Sequence, residues 1–229
     1  MTRILLSLVL FISSSLIANA QFKKGNIILG GQLSYNYNSY NQDIPNSPSY
    51  PQSDQKVNNG NITISAGKAL NENTLVGINL SYLPTTSNNY YNYGVGPLQY
   101  KSNGCATGIF YRKYRPLGKE FYLFGQIAAS YNWSDQSGND SMGVKIVTGS
   151  NWGIGLNVFP GIAYRISKHF FLEISIPNLF VVQYNKTSSV VQENVVNYIS
   201  YSHSDQLNIS TSLSTNPLDA LGIGFRLIL

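Results

Sequence analysis

The sequence predicts an all-β protein, an eight-stranded antiparallel up-and-down transmembrane β-barrel. Apolar residues alternate with polar or small ones along several stretches, most clearly over 121–133, and a period of two indicates a strand. The apolar face of 121–133 is aromatic at both ends and small or aliphatic in the middle, as in strands that cross a bilayer. Thirteen residues suffice, because a tilted transmembrane strand needs about 9 to 11.

The first twenty residues have the organisation of a secretory signal peptide. Arg3 supplies a positive charge, 4–12 is a largely apolar run, and Ala18-Asn19-Ala20 forms a cleavage site of small residues. We therefore assign 1–20 to the signal peptide and 21–229 to a single outer membrane barrel domain.

The composition excludes several classes of function. Only 11% of the residues are charged, compared with roughly 25% in soluble domains, which argues against a nucleic-acid partner. A single cysteine, Cys105, excludes an intramolecular disulfide and a cysteine metal cluster, and it is predicted to be a packing residue. No metal, phosphate or nucleotide motif is present, so no cofactor is expected.

Along the chain, the connections between the alternating stretches are by turns long polar loops and short turns, beginning with a long loop. The predicted strands are 25–37, 61–70, 76–82, 98–113, 121–133, 152–164, 170–176 and 221–229. The short turns are 71–73, 115–119 and 165–168, and the predicted loops are 38–56, 85–97, 134–150 and 183–217. Eight strands place both termini on the side of the short turns, which is the periplasmic side in bacterial barrels.

Several details of these segments carry their own expectations. Pro84 is predicted to end the third strand, whereas Pro160 and Pro177 suggest bulges, and the residues after Pro177 allow strand seven to continue to Val182. The alternation over 207–213 fits either an extension of the last strand or a separate hairpin arm.

The fourth strand has the least decided phase, because both of its faces contain apolar residues. A lipid-facing Arg costs about 2 to 4 kcal/mol at the bilayer midplane. We therefore predict that Arg112 points inward and Tyr111 outward.

The outward phase collects aromatic residues into two girdles, as expected at the two membrane interfaces. Tyr111, Phe121, Tyr164 and Phe170 lie at the turn end, and Tyr35, Tyr37, Tyr82, Tyr131, Trp133 and Trp152 at the loop end. The alternative is a soluble secreted barrel of the lipocalin type, with an apolar interior. The girdles, and charged residues on the opposite face, favour the membrane.

At these positions the sequence resembles a known family. The signal peptide, the stretch FYRKYRPLG at 110–118, the following FYLFG at 121–125 and the ending LGIGF at 221–225 are similar to the small outer membrane β-barrel proteins of Bacteroidota. The chain departs from the usual pattern at Leu229, which stands in place of a terminal aromatic residue. The resemblance implies an outer membrane β-barrel domain located in the cell outer membrane.

The candidate site is a set of three charged residues on the inward face. An eight-stranded barrel is just wide enough for side chains to fill it, and buried charges must be paired. We predict that Arg112, Glu173 and Arg226 form a lumen charge network that links strands four, seven and eight. The role expected is structural, and the alternative is gating or conduction.

The two histidines give little sign of catalysis. Ser202, His203, Ser204 and Asp205 contain the residue types of a lipid-modifying site, but neighbouring residues of an extended chain point to opposite sides. His169, beside a lysine, is predicted to lie at the membrane interface. We therefore expect no catalytic residues and no enzyme activity.

The function predicted from the sequence is structural or surface-interacting, with the barrel as anchor and the loops as contact surface. Tyr, Asn and Ser in the loops suit adaptable contacts. The expected partners are outer membrane lipid and an extracellular ligand or surface, and a monomer is expected. The alternatives are a narrow channel for small solutes and a lipid-modifying outer membrane enzyme.

Overall fold

The computed structural model describes residues 22–42, 53–91, 98–139, 145–176, 178–193, 198–211 and 221–229. Every regular element in these ranges is a β-strand. The strands are β1 (Ile27–Gln42), β2 (Ser53–Asn71), β3 (Thr74–Tyr91), β4 (Leu98–Pro116), β5 (Phe121–Asn139), β6 (Lys145–Arg165), β7 (Phe170–Ser175), β8 (Phe180–Glu193), β9 (Tyr198–Ser210) and β10 (Gly222–Ile228). The predicted signal peptide, 1–20, lies outside the described residues.

The strands close into a ring of eight at the end that carries the short turns. Each strand from β1 to β6 pairs antiparallel with the next, and β6 pairs with β7. The last strand, β10, then lies between β7 and β1, with Gly222 opposite Ser175 on one side and Ser34 on the other. The predicted eight-stranded antiparallel up-and-down barrel is confirmed.

The seventh position of the ring is filled by two strands in succession. β6 pairs with β7 over 161–165 and with β8 over 147–158. β8 therefore continues the wall above β7, after a break that contains Asn178 at φ 60°. The predicted bulge residue Pro177 lies outside the described residues.

Most of the predicted fourth loop, 183–217, is strand, which corrects that expectation. β8 and β9 form an antiparallel hairpin in which Val181 lies opposite Ser210 and Glu193 opposite Tyr198. The described part of 207–213 belongs to this hairpin, and within the described ranges β9 pairs with β8 alone. Polar residues can form this ladder because antiparallel pairing uses backbone groups and tolerates a solvated face.

The strands also run further toward the loop end than the sequence indicated. β1 continues to Gln42, β3 to Tyr91 and β5 to Asn139, and β6 begins at Lys145, so the predicted loops 38–56, 85–97 and 134–150 are partly strand. The expectation that Pro84 ends the third strand is wrong, because Pro84 lies within the ladder opposite Asn103. The expected bulge at Pro160 is absent from the ladder between β5 and β6, because Pro160 keeps its register there opposite Gly125.

The outer face of the barrel is apolar and exposed, with rings at both borders. The ring centroids of Phe121 and Tyr164 lie 4.8 Å apart at the turn end, and those of Tyr131 and Trp152 lie 6.4 Å apart at the loop end. Ile109, between these levels, is 65% exposed. This apolar belt with aromatic borders is the lipid-facing surface of a transmembrane barrel.

None of the described residues form a helix long and apolar enough to cross a membrane.

The turn end of the lumen is closed by packed side chains. Phe22, which precedes β1, lies inside the barrel with its ring 5.0 Å from that of Tyr114 and 5.8 Å from that of Phe171. The other buried apolar residues of the described barrel are Ile28, Ala69, Leu75, Phe110, Tyr122, Phe124, Ala128, Phe159, Ala163 and Ile228. This packed floor positions the charged residues above it.

Candidate functional site

The charged residues inside the barrel come from three strands that are not consecutive. Arg112 lies on β4, Glu173 on β7 and Arg226 on β10, and all three side chains are at most 5% exposed. The phase of β4 is as predicted, since Tyr111 on the opposite face is 45% exposed. The structure thus brings together the three residues of the predicted lumen charge network.

Glu173 is the acceptor at the centre of this network. Arg112 Nη1 donates to both carboxylate oxygens, at 2.6 Å to Oε1 and 2.7 Å to Oε2. The Tyr114 hydroxyl donates to Oε1 at 2.9 Å, and Arg226 Nε donates to Oε2 at 3.3 Å. Glu173 has room because its ladder neighbours, Gly224 and Ala163, are small. The carboxylate therefore accepts four hydrogen bonds from three groups, and hydrogen bonds between charged groups are the strong ones.

Two of the three guanidinium nitrogens of Arg112 donate hydrogen bonds, and the third does not. Its Nε donates to Gln126 Oε1 at 2.7 Å, its Nη1 also contacts the Tyr114 hydroxyl at 3.1 Å, and its guanidinium carbon lies 4.2 Å from the centroid of the Phe124 ring. This stacking distance is that of a cation–π contact. Its Nη2 is buried without a hydrogen-bond partner among the described residues.

Arg226 is more loosely compensated than Arg112. Its Nη1 donates to Ser65 Oγ, and the 3.3 Å bond from Nε is its single contact with a carboxylate among the described residues. Its side chain lies across Gly30, where a Cβ would collide with the guanidinium. The missing side chain at Gly30 thus gives Arg226 its place against the wall.

A second polar link crosses the last strand. Gln32 on β1 donates from Nε2 to Ser175 Oγ on β7 at 3.0 Å, reaching over Gly222 of β10. A Cβ at Gly222 would lie 2.5 Å from the Gln32 amide and 2.8 Å from the Ser175 hydroxyl. Glycine at this position is therefore needed for the bridge.

Sequence reasoning did not single out Tyr114, Gln126 and Phe124 as members of the site. The inward phase of Arg112 already implied that Tyr114 points inward, two residues further along the strand. The position of Gln126 opposite Arg112 follows from the register of the β4–β5 hairpin, which is set by the turn. The turn was visible in the sequence, but its register was not.

Above the network lies a polar cavity of about 260 Å³ in the loop-end half of the lumen. Arg226 and Gln126 are at its lower end, and Asn132 and Gln183 are near the level of the loop-end girdle. The other lining residues are Gln32, Asn61, Thr63, Ser65, Asn79, Ser81, Leu83, Ala106, Phe110, Ala128, Ser130, Gly155, Leu156, Asn157, Phe159, Asn178 and Val181. The cavity walls combine amide and hydroxyl groups with apolar side chains, and its lower end is formed by the charge network.

The remaining candidates for chemistry are dispersed. His203 and Asp205 share one face of β9, opposite Ser188 and Lys186 on β8, and Ser202 and Ser204 lie on the other face, so these four residues do not converge. No group of His, Cys, Asp and Glu in the described ranges could hold a metal ion.

Outside the lumen, the turn end carries one exposed ion pair. Arg165 Nε donates to Glu120 Oε2 at 2.8 Å, and Arg165 also contacts the Lys119 carbonyl. The hydrogen bond from Arg165 lowers the pKa of Glu120 below its ordinary value. Exposed pairs of this kind contribute little to stability.

Comparisons with known proteins identify the fold. No family model and no curated protein sequence matches the chain. The outer membrane protein OprG from Pseudomonas aeruginosa has a similar structure, with a TM-score of 0.52, 12% identity and coverage of 92% of this chain and 99% of that chain. Neisserial surface protein A also matches, with a TM-score of 0.37, 13% identity and coverage of 89% of this chain and 97% of that chain. The Escherichia coli outer membrane protease OmpT matches with a TM-score of 0.41, 10% identity and coverage of 94% of this chain and 99% of that chain. The likeness to OprG shows the fold of an outer membrane β-barrel.

Proposed function

We propose that this protein resides in the cell outer membrane as a non-conducting anchor that presents a polar contact surface to the exterior. The observation that carries this proposal is the closed lumen. The buried Arg112–Glu173 pair and the aromatic floor around Phe22 fill the turn-end half of the described barrel. An eight-stranded barrel of this kind serves as a support rather than as an aqueous channel.

The contact surface is the part of the wall that extends past the loop-end girdle. β5 continues six residues beyond Trp133, which is roughly 20 Å along the strand. The β8–β9 hairpin extends similarly, and on it Ile199 is 52% and Tyr201 71% exposed. An exposed tyrosine among amides and hydroxyls suits adaptable surface contacts.

The orientation can be tested with engineered cysteines, since the chain has one cysteine, Cys105. In a Cys105→Ala background, Ser202→Cys on the hairpin should react with a membrane-impermeant maleimide in intact cells. The matched control, Ser167→Cys in an exposed turn at the other end, should react after lysis alone. Labelling of the turn but not the hairpin in intact cells would refute the orientation, and recovery of the protein in the soluble fraction would refute the membrane location.

Conductance separates an anchor from a narrow channel. Purified protein in planar bilayers should show no steady conductance, because the charged network and the aromatic floor both block the lumen. A reproducible conductance that changes in Arg112→Gln would contradict the proposal and support a channel. A lipid-modifying enzyme is tested separately with His203→Ala, for which we expect an unchanged lipid profile.

The contact role is tested by shortening the hairpin. Thr187 and Ser204 face each other, so 188–203 can be replaced by an Asn-Gly turn without disturbing the barrel below. A second variant replaces 136–149 in the same way between the paired Asp135 and Ser150, and so removes the β5 part of the contact surface while it keeps Ile199 and Tyr201. Attachment of whole cells to a mucin-coated surface should fall in both variants, and more in the first, which loses these two exposed residues. Equal attachment of both variants and wild type would exclude the contact role and leave the purely structural one.

A further inference from the structure

The charges around the lumen cavity are unbalanced. Arg112, Glu173 and Arg226 are the buried charged residues of the described chain, and two guanidiniums against one carboxylate leave one positive charge. Among the described residues that line the cavity, none is a carboxylate. Arg226 is the single charged residue of this lining. A low-dielectric wall weakens screening, so the cavity attracts an anion.

The excess charge is concentrated on Arg226. Glu173 receives its shortest hydrogen bonds, 2.6 and 2.7 Å, from Arg112, and the bond from Arg226 is longer at 3.3 Å. Arg226 Nη1 is occupied by Ser65, which leaves Nη2 without a hydrogen bond to any described residue. This guanidinium forms part of the cavity lining, so an incoming acceptor can reach it. A planar guanidinium is suited to bind a carboxylate.

The walls of the cavity select the rest of the ligand. They carry amides and hydroxyls, each of which can donate and accept hydrogen bonds, as in Asn61, Ser81, Asn132 and Gln183. These groups can satisfy the hydroxyl groups of a solute, and the apolar residues between them, such as Phe110 and Leu156, can contact its carbon backbone. The volume, 260 Å³, lies just below the range of about 300 to 1,000 Å³ typical of small-molecule sites.

We propose that this cavity is a binding site for a small hydroxylated monocarboxylate, a solute of the sugar-acid class. Its carboxylate lies on Arg226 and its hydroxyls bind the amide and hydroxyl walls. One excess positive charge is matched by one negative charge, which favours a monoanion over a phosphate dianion. The site lies in the loop-end half of the lumen and ends on the packed floor, so it retains a solute and does not conduct it through the membrane. This site is independent of the proposed contact surface.

The test is calorimetry on the full barrel in detergent micelles with gluconate as the probe. We expect saturable binding in the millimolar range or tighter, and binding weaker by about tenfold or more for glucose, which lacks the charge. Arg226→Gln should reduce gluconate affinity by a similar factor. Arg165→Gln, which removes an exposed guanidinium at the opposite end, should bind as wild type does.

A second variant keeps the test valid if Arg226→Gln does not fold. Ala106 lines the cavity away from the charged residues, and Ala106→Leu fills part of the space without removing a hydrogen bond. Gluconate binding should be weakened in this variant as well. Absence of binding to the wild type, equal affinity for glucose, tighter binding of inorganic phosphate, or unchanged affinity in a folded Arg226→Gln or Ala106→Leu barrel would each overturn the proposal.

Discussion

Replacing Glu173 by Gln is expected to be the most destabilising single change of charge in the lumen. The carboxylate accepts hydrogen bonds from Arg112, Tyr114 and Arg226, and Gln keeps the size of the side chain while removing its charge. The variant leaves two guanidiniums without a counter-ion, and one Gln nitrogen faces another donor. Removing one partner of a buried ion pair costs about 3 to 5 kcal/mol. The unfolding equilibrium should therefore shift by roughly two to three and a half powers of ten.

The assay is urea-dependent unfolding from lipid vesicles, followed by tryptophan emission and by heat-modifiable gel migration. Trp133 and Trp152 are the two tryptophans of the chain, and both lie at the loop-end girdle, so their emission reports loss of membrane contact. We expect the free energy of unfolding of Glu173→Gln to fall by about 4 kcal/mol.

Two matched variants separate charge from packing. Arg226→Gln leaves the shorter Arg112–Glu173 pair in place with its charges balanced, so its loss should be smaller, about 1 to 2 kcal/mol. Glu120→Gln changes the same residue type in an exposed pair and should have little effect. The reasoning would be refuted if Glu173→Gln had the same urea midpoint of unfolding as wild type, or if Arg226→Gln lost more free energy of unfolding than Glu173→Gln.

Three further predictions concern the packing, the lipid face and the turn end. Phe124→Ala should cost about 3 to 5 kcal/mol in the same unfolding assay, because the ring is buried and supports the guanidinium above it; a loss below 1 kcal/mol would contradict that packing. Ile109→Arg on the lipid face should cost about 2 to 4 kcal/mol, whereas Ser130→Arg on the lumen side should cost less, and the reverse order would show that the faces are assigned wrongly. The lowered pKa of Glu120 means that its pairing with Arg165 stabilises the barrel above the ordinary pKa of 4.5 and that this contribution is lost as the pH falls further, so wild type and Glu120→Gln should converge in stability at low pH. A difference that grows on acidification would be inconsistent with the pair.

The membrane half of the barrel could be predicted from the sequence because lipid imposes a strict pattern. A charge on the lipid face is costly, so Arg112 alone settled the phase of β4, and the alternation over 121–133 gave the lipid face of β5. The extensions above the membrane could not be predicted in the same way. Both faces of β8 and β9 contact water or polar neighbours there, so polar residues such as Ser188 and His203 give no apolar period to read.

The site was predictable in its charged members and less so in its neutral ones. Burial requires that Glu173 be paired, and the inward phase supplied its two arginines. Phe22 was missed because it lies before the first alternating stretch and packs inside the barrel through contacts far along the chain. Pro84 was misread because a proline disrupts a ladder only where its missing N–H is needed.

The charge network also has a place in the order in which the barrel is completed. Arg112 and Glu173 can meet once β4 and β7 are present, but Arg226 lies on β10, the strand that joins β7 to β1. Until β10 is inserted, the Glu173 carboxylate has an unfilled acceptor position beside an open sheet edge. Insertion of the last strand therefore completes the backbone ladder and the side-chain network in a single step, which makes the closed ring cooperative and disfavours partly closed forms.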